Sequence, residues 1–144
     1  ESLGRAIAFV AHAGDVFILT GELGAGKTTF ARGFGEGLAV ETPVSSPTFV
    51  VAREHPSRTP HTPPLVHIDA YRLGSAAEFE ELDIDVPSSI VLAEWVQELW
   101  YSMFKNKLVH VLPIASPILL LNRTVKRTSI CLNTFEVVLF QVTQ

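Results

Sequence analysis

Eight consecutive residues near the start of the chain form a pattern with a specific chemistry: Gly21 to Thr28 read G-E-L-G-A-G-K-T and fit the G-x-x-x-x-G-K-[ST] pattern. Glycines let consecutive backbone N–H groups curl around phosphate oxygens, which a Cβ would keep at a distance. In such a loop Lys27 reaches the outer phosphates of a nucleotide, and the Thr28 hydroxyl takes a coordination position on Mg²⁺. The pattern therefore predicts a site for a magnesium-bound nucleoside triphosphate.

The residues on either side of this loop have the patterns that a phosphate-binding loop requires. The apolar, β-rich run 16–20 precedes the loop and is typical of a strand buried on both faces. Phe30, Phe34 and Leu38 follow it at intervals that place them on one face of a helix. The N-terminus of that helix would add free N–H groups and a partial positive charge. Strand, loop and helix in this order favour a P-loop over a chance match.

Two further predicted strands end in a carboxylate, at Asp69 and at Glu94. In open α/β sheets ligands lie beyond the carboxyl ends of the strands, and Mg²⁺ held by a P-loop threonine needs a carboxylate from a neighbouring strand. Asp69 is placed like a Walker-B acid. Glu94 is a second candidate, either as a metal ligand or to orient the attacking water. The alternative is that each acid caps a loop or a helix N-terminus.

The segment Ser45-Ser46-Pro47-Thr48 lies between the P-loop helix and the next predicted strand. GTPases place a switch segment at this point, which senses the outermost phosphate. A hydroxyl in this segment would contact phosphate or metal. The alternative is a Ser-Pro turn that caps a strand.

Helical and strand patterns alternate along the first part of the chain, which predicts an α/β fold. We expect a P-loop NTPase-like, three-layer α/β/α arrangement with a mostly parallel central sheet. The small glycines inside the P-loop helix are expected to permit close packing against this sheet. The remaining predicted elements are an opening helix over 3–10 closed by Gly14, strands over 48–53, 65–69 and 90–93, and a short helix opened by a capping box over 75–78.

Composition narrows the class of protein. The 144 residues are enough for one domain, and 47% hydrophobic with 18% charged residues is typical of a globular chain. A net charge of −4 gives no reason to expect nucleic-acid binding. The single cysteine, Cys131, excludes an internal disulfide and fits a reducing cytoplasm, where we expect the protein. The apolar stretch 108–121 is broken by prolines and is too short to span a bilayer.

The composition changes near residue 98. Residues 1–98 contain all nine glycines, fourteen acidic residues and six basic ones, whereas residues 99–144 contain no glycine, one acid and five bases. A basic appendage, a separate packing unit and a stretch of altered reading frame are the three explanations. We therefore divide the chain into a P-loop domain over 1–98 and a compositionally divergent segment of uncertain structure over 99–144. The first residue is Glu1 rather than Met, so we expect a truncated N-terminus.

Four segments together resemble the TsaE family, formerly called YjeE: Gly21–Thr29, Ser46–Phe49, His67–Leu73 and Leu92–Trp95. Members of this family are small bacterial P-loop ATPases needed to form threonylcarbamoyladenosine (t6A) at position 37 of tRNAs that read ANN codons. The resemblance covers residues 1 to about 98. The H-x-D-x-Y-R-L and L-x-E-W segments make it more specific than the P-loop alone.

The resemblance implies ATP and Mg²⁺ as cofactors and the TsaB–TsaD protein pair as partner, with tRNA involved only indirectly. It implies that ATP hydrolysis resets this pair between turnovers and that the chain does not transfer the carbamoyl group. Lys27, Asp69 and Glu94 are the implied catalytic residues, and Thr28 joins the two acids at the metal. Trp95 is implied close to the site. The implied ATP contacts are Gly21, Glu22, Leu23, Gly24, Ala25, Gly26, Lys27, Thr28, Thr29 and Thr48.

Two other classes of function stay open. Many small-molecule kinases are P-loop proteins, but they generally close an arginine-bearing lid over the nucleotide, and the arginines between 29 and 94 form no such cluster in the sequence. A nucleotide-gated binding module is the second class. Its docking surface would be the acid-rich segment 78–85, for which a solvated helix face is the favoured alternative. Arg72 is a candidate arginine finger in cis, or else a partner of Glu78 or Glu80.

Overall fold

A mixed sheet forms the centre of the computed structural model of this protein, which describes residues 1–47, 49–95, 108–114, 124–132 and 135–143. Short 3-10 turns at Ala70–Arg72 and Val86–Ser88 connect some of its elements. The helices and strands are α1 (Ser2–Ala8), β1 (Asp15–Thr20), α2 (Lys27–Gly37), β2 (Ala52–His55), β3 (Leu65–Asp69), α3 (Ala76–Glu80), β4 (Ile90–Glu94), β5 (Leu108–Pro113), β6 (Thr124–Leu132) and β7 (Phe135–Thr143).

The described strands form one sheet in the order β2-β3-β4-β1-β5-β7-β6. Neighbouring strands from β3 to β7 in this order are parallel, and an antiparallel strand lies at each edge. Because β1, β3 and β4 are parallel neighbours, their carboxyl ends therefore lie next to one another at the same end of the strands. In register, Asp69 lies opposite Glu94, and Glu94 lies opposite Leu19. The predicted α/β fold with a mostly parallel sheet is confirmed.

Both faces of the central strands are buried. Because side chains alternate along a strand, Phe17 of β1 packs towards α1 and α2, while Val16 and Ile18 pack on the opposite face. The rings of Phe17 and Phe34 meet edge to face with centroids 5.0 Å apart, which joins α2 to β1. Apolar side chains from residues 70–88 cover the other face. Burial on two sides explains why the run before the P-loop is continuously apolar.

The helix α2 forms where the sequence predicts it, but the opening helix is shorter than expected. It ends at Ala8, and Val10, which the spacing assigned to its apolar face, is 50% exposed. Gly14 has φ of 89° in the turn before β1 and so does not close the helix. The predicted C-terminal role of Gly14 is therefore wrong.

The glycines of α2 make close contacts, but with other elements than the sheet. A Cβ on Gly37 would lie 2.6 Å from the Cβ of Ala8 in α1. A Cβ on Gly33 would meet the backbone of Glu1, and one on Gly35 would meet the side chain of Val44. The prediction of close packing against the sheet is wrong. Their small size serves the contact with α1 and with the loop after α2.

The strand predicted over 48–53 is also displaced. The backbone N–H groups of Val50 and Val51 both donate to the carbonyl of Pro47, at 2.9 and 3.0 Å, which forms a turn. Phe49 is 92% exposed, so no packing holds it in a strand. The strand β2 begins only at Ala52. The capping box of α3 is confirmed in part: the N–H of Glu78 donates to Ser75 Oγ at 3.3 Å, but the Glu78 carboxylate accepts from Gly74 N at 2.9 Å.

Part of the compositionally divergent segment joins the same sheet. The strand β5 pairs in parallel with β1 along its whole length, and β7 pairs with β5. The proposed boundary at residue 98 falls within 96–107, outside the described residues, so the division into two segments stays a prediction. Among the residues the structure describes, no helix has the length and apolar character needed to cross a membrane.

Candidate functional site

The loop between β1 and α2 adopts backbone conformations that require glycine. Gly21, Gly24 and Gly26 have φ of 148°, 78° and 101°, which L side chains rarely adopt. A Cβ on Gly21 would collide with the carbonyl of Ile114, at the end of β5. A Cβ on Gly24 or Gly26 would meet no atom within 4 Å.

The N-terminus of α2 provides hydrogen-bond donors next to this loop. The helix begins at Lys27 with Gly26 as its N-cap, and no side chain caps it. The first N–H groups of a helix have no partner within the helix, so they are available to an anion, with the helix dipole in support.

Lys27 is buried, and its ammonium lies back over the loop. Nζ donates to the carbonyl oxygens of Gly21 and Glu22, both at 2.8 Å. Nζ also lies 3.7 Å from the centroid of the Trp95 ring, a cation–π contact. The cation is thus held beside the predicted phosphate position by three uncharged groups.

The two strand-end acids lie side by side at the carboxyl ends of β3 and β4. Asp69 is 6% exposed and Glu94 is 3% exposed. Asp69 Oδ1 accepts from Tyr71 N–H at 3.2 Å and so caps a 3-10 turn, as the alternative to a metal role predicts. Glu94 Oε1 lies 2.9 Å from Nε2 of His67, which is fully buried. Each acid is therefore held by a different partner.

The loop, the start of α2 and the strand ends enclose one cavity of about 560 Å³. This volume falls within the range of small-molecule sites, which is about 300–1,000 Å³. It brings together residues from four separate parts of the chain. Its lining is Leu23, Gly24, Gly26, Lys27, Thr28, Thr29, Ser46, Asp69, Tyr71, Glu94 and Trp95.

Some predicted site residues lie elsewhere. Gly21, Glu22 and Ala25 belong to the described loop but are not in the cavity lining, and Ala25 packs against the core beneath α2. Thr48 is outside the described residues. Arg72 is exposed, and its guanidinium donates to the carbonyl of Pro47 at 3.5 Å. Within the described part of the chain it forms no ion pair with an acid of α3.

The sequence analysis names His67 and Trp95 in the family-like segments but predicts no contact for either. The position of His67, two residues before Asp69, places both side chains on one face of β3. Trp95 has φ of 62°, an uncommon value for a bulky residue. This conformation directly after β4 accompanies the contact of its ring with Lys27 and an edge-to-face contact with Tyr71, whose ring centroid is 6.1 Å away.

The oxygen atoms that line the cavity suit a magnesium ion whose other ligands are water and the phosphate oxygens of a bound nucleotide. Among the described residues, no group of three His, Cys, Asp or Glu side chains gathers to hold a metal. The Thr28 hydroxyl and the carboxylates of Asp69 and Glu94 nevertheless line one cavity. Mg²⁺ usually takes one or two carboxylates and completes its shell with water and phosphate oxygens, so this sparse set fits it.

Comparison with known proteins gives a consistent match. The family model described as "Threonylcarbamoyl adenosine biosynthesis protein TsaE" matches residues 1–117, a range that includes β5. Similar proteins bear the name tRNA threonylcarbamoyladenosine biosynthesis protein TsaE. The one from Streptomyces coelicolor is 57% identical over 98 residues, which are 66% of each chain. That from Mycobacterium tuberculosis is 44% identical over 106 residues, 68% of this chain and 63% of the relative. The chain thus spans just under two thirds of the length of these relatives.

Proposed function

This chain belongs to the TsaE family, and on that premise we propose that it is an ATP-hydrolysing accessory factor in the formation of t6A on tRNA. One observation carries the proposal: a glycine loop, a lysine and an uncapped helix N-terminus face two strand-end acids across a single cavity. The fold that we propose is the three-layer P-loop arrangement, with α1 and α2 on one face of the sheet and residues 70–88 on the other.

In the proposed mechanism, backbone N–H groups of the loop and of the start of α2 bind the phosphates of ATP. The Lys27 ammonium turns from the carbonyls of Gly21 and Glu22 to the phosphate oxygens and stabilises the charge that develops there. Thr28, Glu94 and Asp69 are the residues that would hold Mg²⁺. The bound ion supplies positive charge to the transferring phosphoryl group. One of the two carboxylates orients the attacking water.

The exchange of partners at Lys27 is favourable because its present partners carry no net charge. The bonds to the carbonyls already have an ionised donor, but a phosphate oxygen is itself charged and adds a Coulombic attraction that a carbonyl lacks. The loop carbonyls and the Trp95 ring therefore keep the ammonium within the site without competing strongly against phosphate.

The partner that we propose is the TsaB–TsaD pair, whose activity the hydrolysis of ATP would reset between turnovers. We expect this to take place in the cytoplasm, without transfer of the carbamoyl group by this chain. The kinase alternative has no comparable support, because none of the described arginines lines the cavity.

The proposal is tested by replacing the lysine. Lys27→Ala is expected to lower the rate of phosphate release from ATP by about 100-fold or more, because a preorganised donor to the developing charge is lost. Arg32→Ala is the matched control, since it removes the same charge from the same helix outside the cavity lining. Phosphate release is measured with and without the TsaB–TsaD pair. Unchanged turnover in Lys27→Ala would exclude the P-loop from the mechanism, and phosphate transfer to a nucleoside or sugar would favour the kinase.

A further inference from the structure

The buried contact between His67 and Glu94 joins a residue with no assigned role to the proposed metal site. The side chains are 0% and 4% exposed, and Nε2 lies 2.9 Å from Oε1. In the register of β3 and β4, His67 lies opposite Leu92, two residues before Glu94. The two side chains are therefore diagonal neighbours on the same face of the sheet.

The hydrogen bond has a defined direction. An ionised carboxylate only accepts hydrogen bonds, so Nε2 of His67 carries the proton and donates it. The other ring nitrogen, Nδ1, is buried and has no hydrogen-bond partner among the described residues. An ionised carboxylate buried without a donor is costly, and a charge-assisted bond of this length offsets that cost.

The two acids of the site depend on different kinds of support. Asp69 is held by the backbone N–H of Tyr71, which any residue except proline would supply at that position. Glu94 is held by the side chain of His67. A single substitution at His67 can therefore release Glu94 while Asp69 keeps its partner.

We infer that His67 is a positioning residue for metal binding: its Nε2–H holds Oε1 of Glu94 and so leaves the other carboxylate oxygen to serve Mg²⁺. The inference rests on the proposed function, since it assumes a nucleotide-bound ion at Glu94. Residues that orient a metal ligand typically change metal affinity by about 10- to 100-fold when they are removed.

Three variants distinguish the orientation of the Glu94 carboxylate by His67 from an effect of the substitution on the stability of the fold. His67→Leu keeps the approximate volume and removes the donor. His67→Gln places an amide N–H near the position of Nε2. His55→Leu is the matched control, because His55 is a fully buried histidine of the adjacent strand β2 that contacts Thr42 and not Glu94. For each protein, Mn²⁺ affinity is measured by electron paramagnetic resonance at saturating ADP, and ADP affinity is measured in EDTA.

The wild type is expected to bind Mn²⁺·ADP, and His67→Leu is expected to bind Mn²⁺ at least about 10-fold more weakly with ADP affinity in EDTA unchanged. His67→Gln and His55→Leu are expected to remain close to the wild type. Wild-type Mn²⁺ affinity in His67→Leu, or equal losses in His67→Gln and His67→Leu, would overturn the role of His67 alone. Failure of the folded wild type to bind ADP would overturn the proposed function itself.

A measurement on the wild type covers the case in which His67→Leu does not fold. Proton–nitrogen correlation spectra assign the protonated ring nitrogen of His67, identified by its absence in His67→Gln. A slowly exchanging proton on Nε2 is expected. A ring protonated only on Nδ1 would contradict the hydrogen bond and the inference with it.

Discussion

At the scale of residues, the side chains of Lys27 and Trp95 are in contact within the cavity lining. Trp95 follows directly on the acid of β4, and its left-handed backbone conformation accompanies the contact of its ring with the ammonium. Strained conformations of this kind cost about 1–3 kcal/mol and persist where the surrounding structure imposes them. In the proposed mechanism phosphate draws the ammonium away, so that the Trp95 ring would lose its contact with the cation.

Trp95 is therefore expected to report nucleotide binding. The chain has two tryptophans, Trp95 and Trp100. Trp100→Phe is expected to keep the change in intrinsic fluorescence on addition of Mg·ATP, and Trp95→Phe to lose most of it, because the Trp95 ring contacts the Lys27 ammonium. Titration of both single-tryptophan variants checks this. An undiminished change in Trp95→Phe would show that the signal arises elsewhere.

At the scale of elements, the position of α2, the helix that begins at the candidate site, depends on α1. Ile7 of α1 and Phe30 and Phe34 of α2 belong to the same core cluster. The helices approach closely because glycines occur at their contact: a Cβ on Gly4 would lie 2.7 Å from the backbone N of Phe34. Backbone atoms cannot move away as a flexible side chain can. The helix α2, whose N-terminus lies at the candidate site, is thus packed against the short helix α1.

Gly4→Ala is expected to destabilise the protein by about 1–3 kcal/mol, because the added methyl overpacks a backbone contact. Helix propensity alone predicts the opposite sign, since alanine is favoured over glycine by about 1 kcal/mol. Urea denaturation distinguishes the two. Ser2→Ala, at an exposed position of the same helix, serves as the control for propensity. A more stable Gly4→Ala variant would contradict the close approach of the helices.

At the scale of the whole molecule, a second buried contact joins the strands at the end of the sheet away from the cavity. His110 Nε2 of β5 lies 3.2 Å from Oδ1 of Asp15, the first residue of β1. The His110 ring stacks on Phe17 with centroids 4.4 Å apart. Burial by itself would raise the pKa of Asp15, but the hydrogen bonds from His110 and from the backbone N–H of His12, with the charges of both histidines, hold this pKa below its ordinary value. The contact ties β5 to the centre of the sheet.

Acid is therefore expected to weaken the fold. Because the pKa of Asp15 is lower in the folded than in the unfolded state, its contribution to the free energy of unfolding is fully present above the ordinary value of 3.8. It is lost as the pH falls through the folded pKa. Asp15→Asn is expected to be less stable than the wild type near neutral pH, with a difference that shrinks below about pH 4. Urea denaturation across pH checks this, with exposed Glu54→Gln as control, and a difference independent of pH would contradict it.

Much of the candidate site was predictable because its chemistry is local. The glycine loop, the start of α2 and the strands ending at Asp69 and Glu94 follow from short patterns, and these elements lie where the sequence predicts them. The predicted bounds of helices and strands were wrong where apolar side chains remain exposed. Val10 and Phe49 have the right character for a helix and a strand, but both side chains remain exposed. Periodicity shows which residues can be buried and not whether a surface exists to bury them.

The glycine loop before α2, the α/β class and the acids at the strand ends were determined by the sequence itself, because each depends on a few consecutive residues and their intrinsic conformations. The tertiary structure alone decided which partners these residues have. His67 meets Glu94, 27 residues further on, and Lys27 meets Trp95. Such contacts depend on the register of β3 against β4 and on the order of strands in the sheet, which burial across the whole core selects and no single segment encodes.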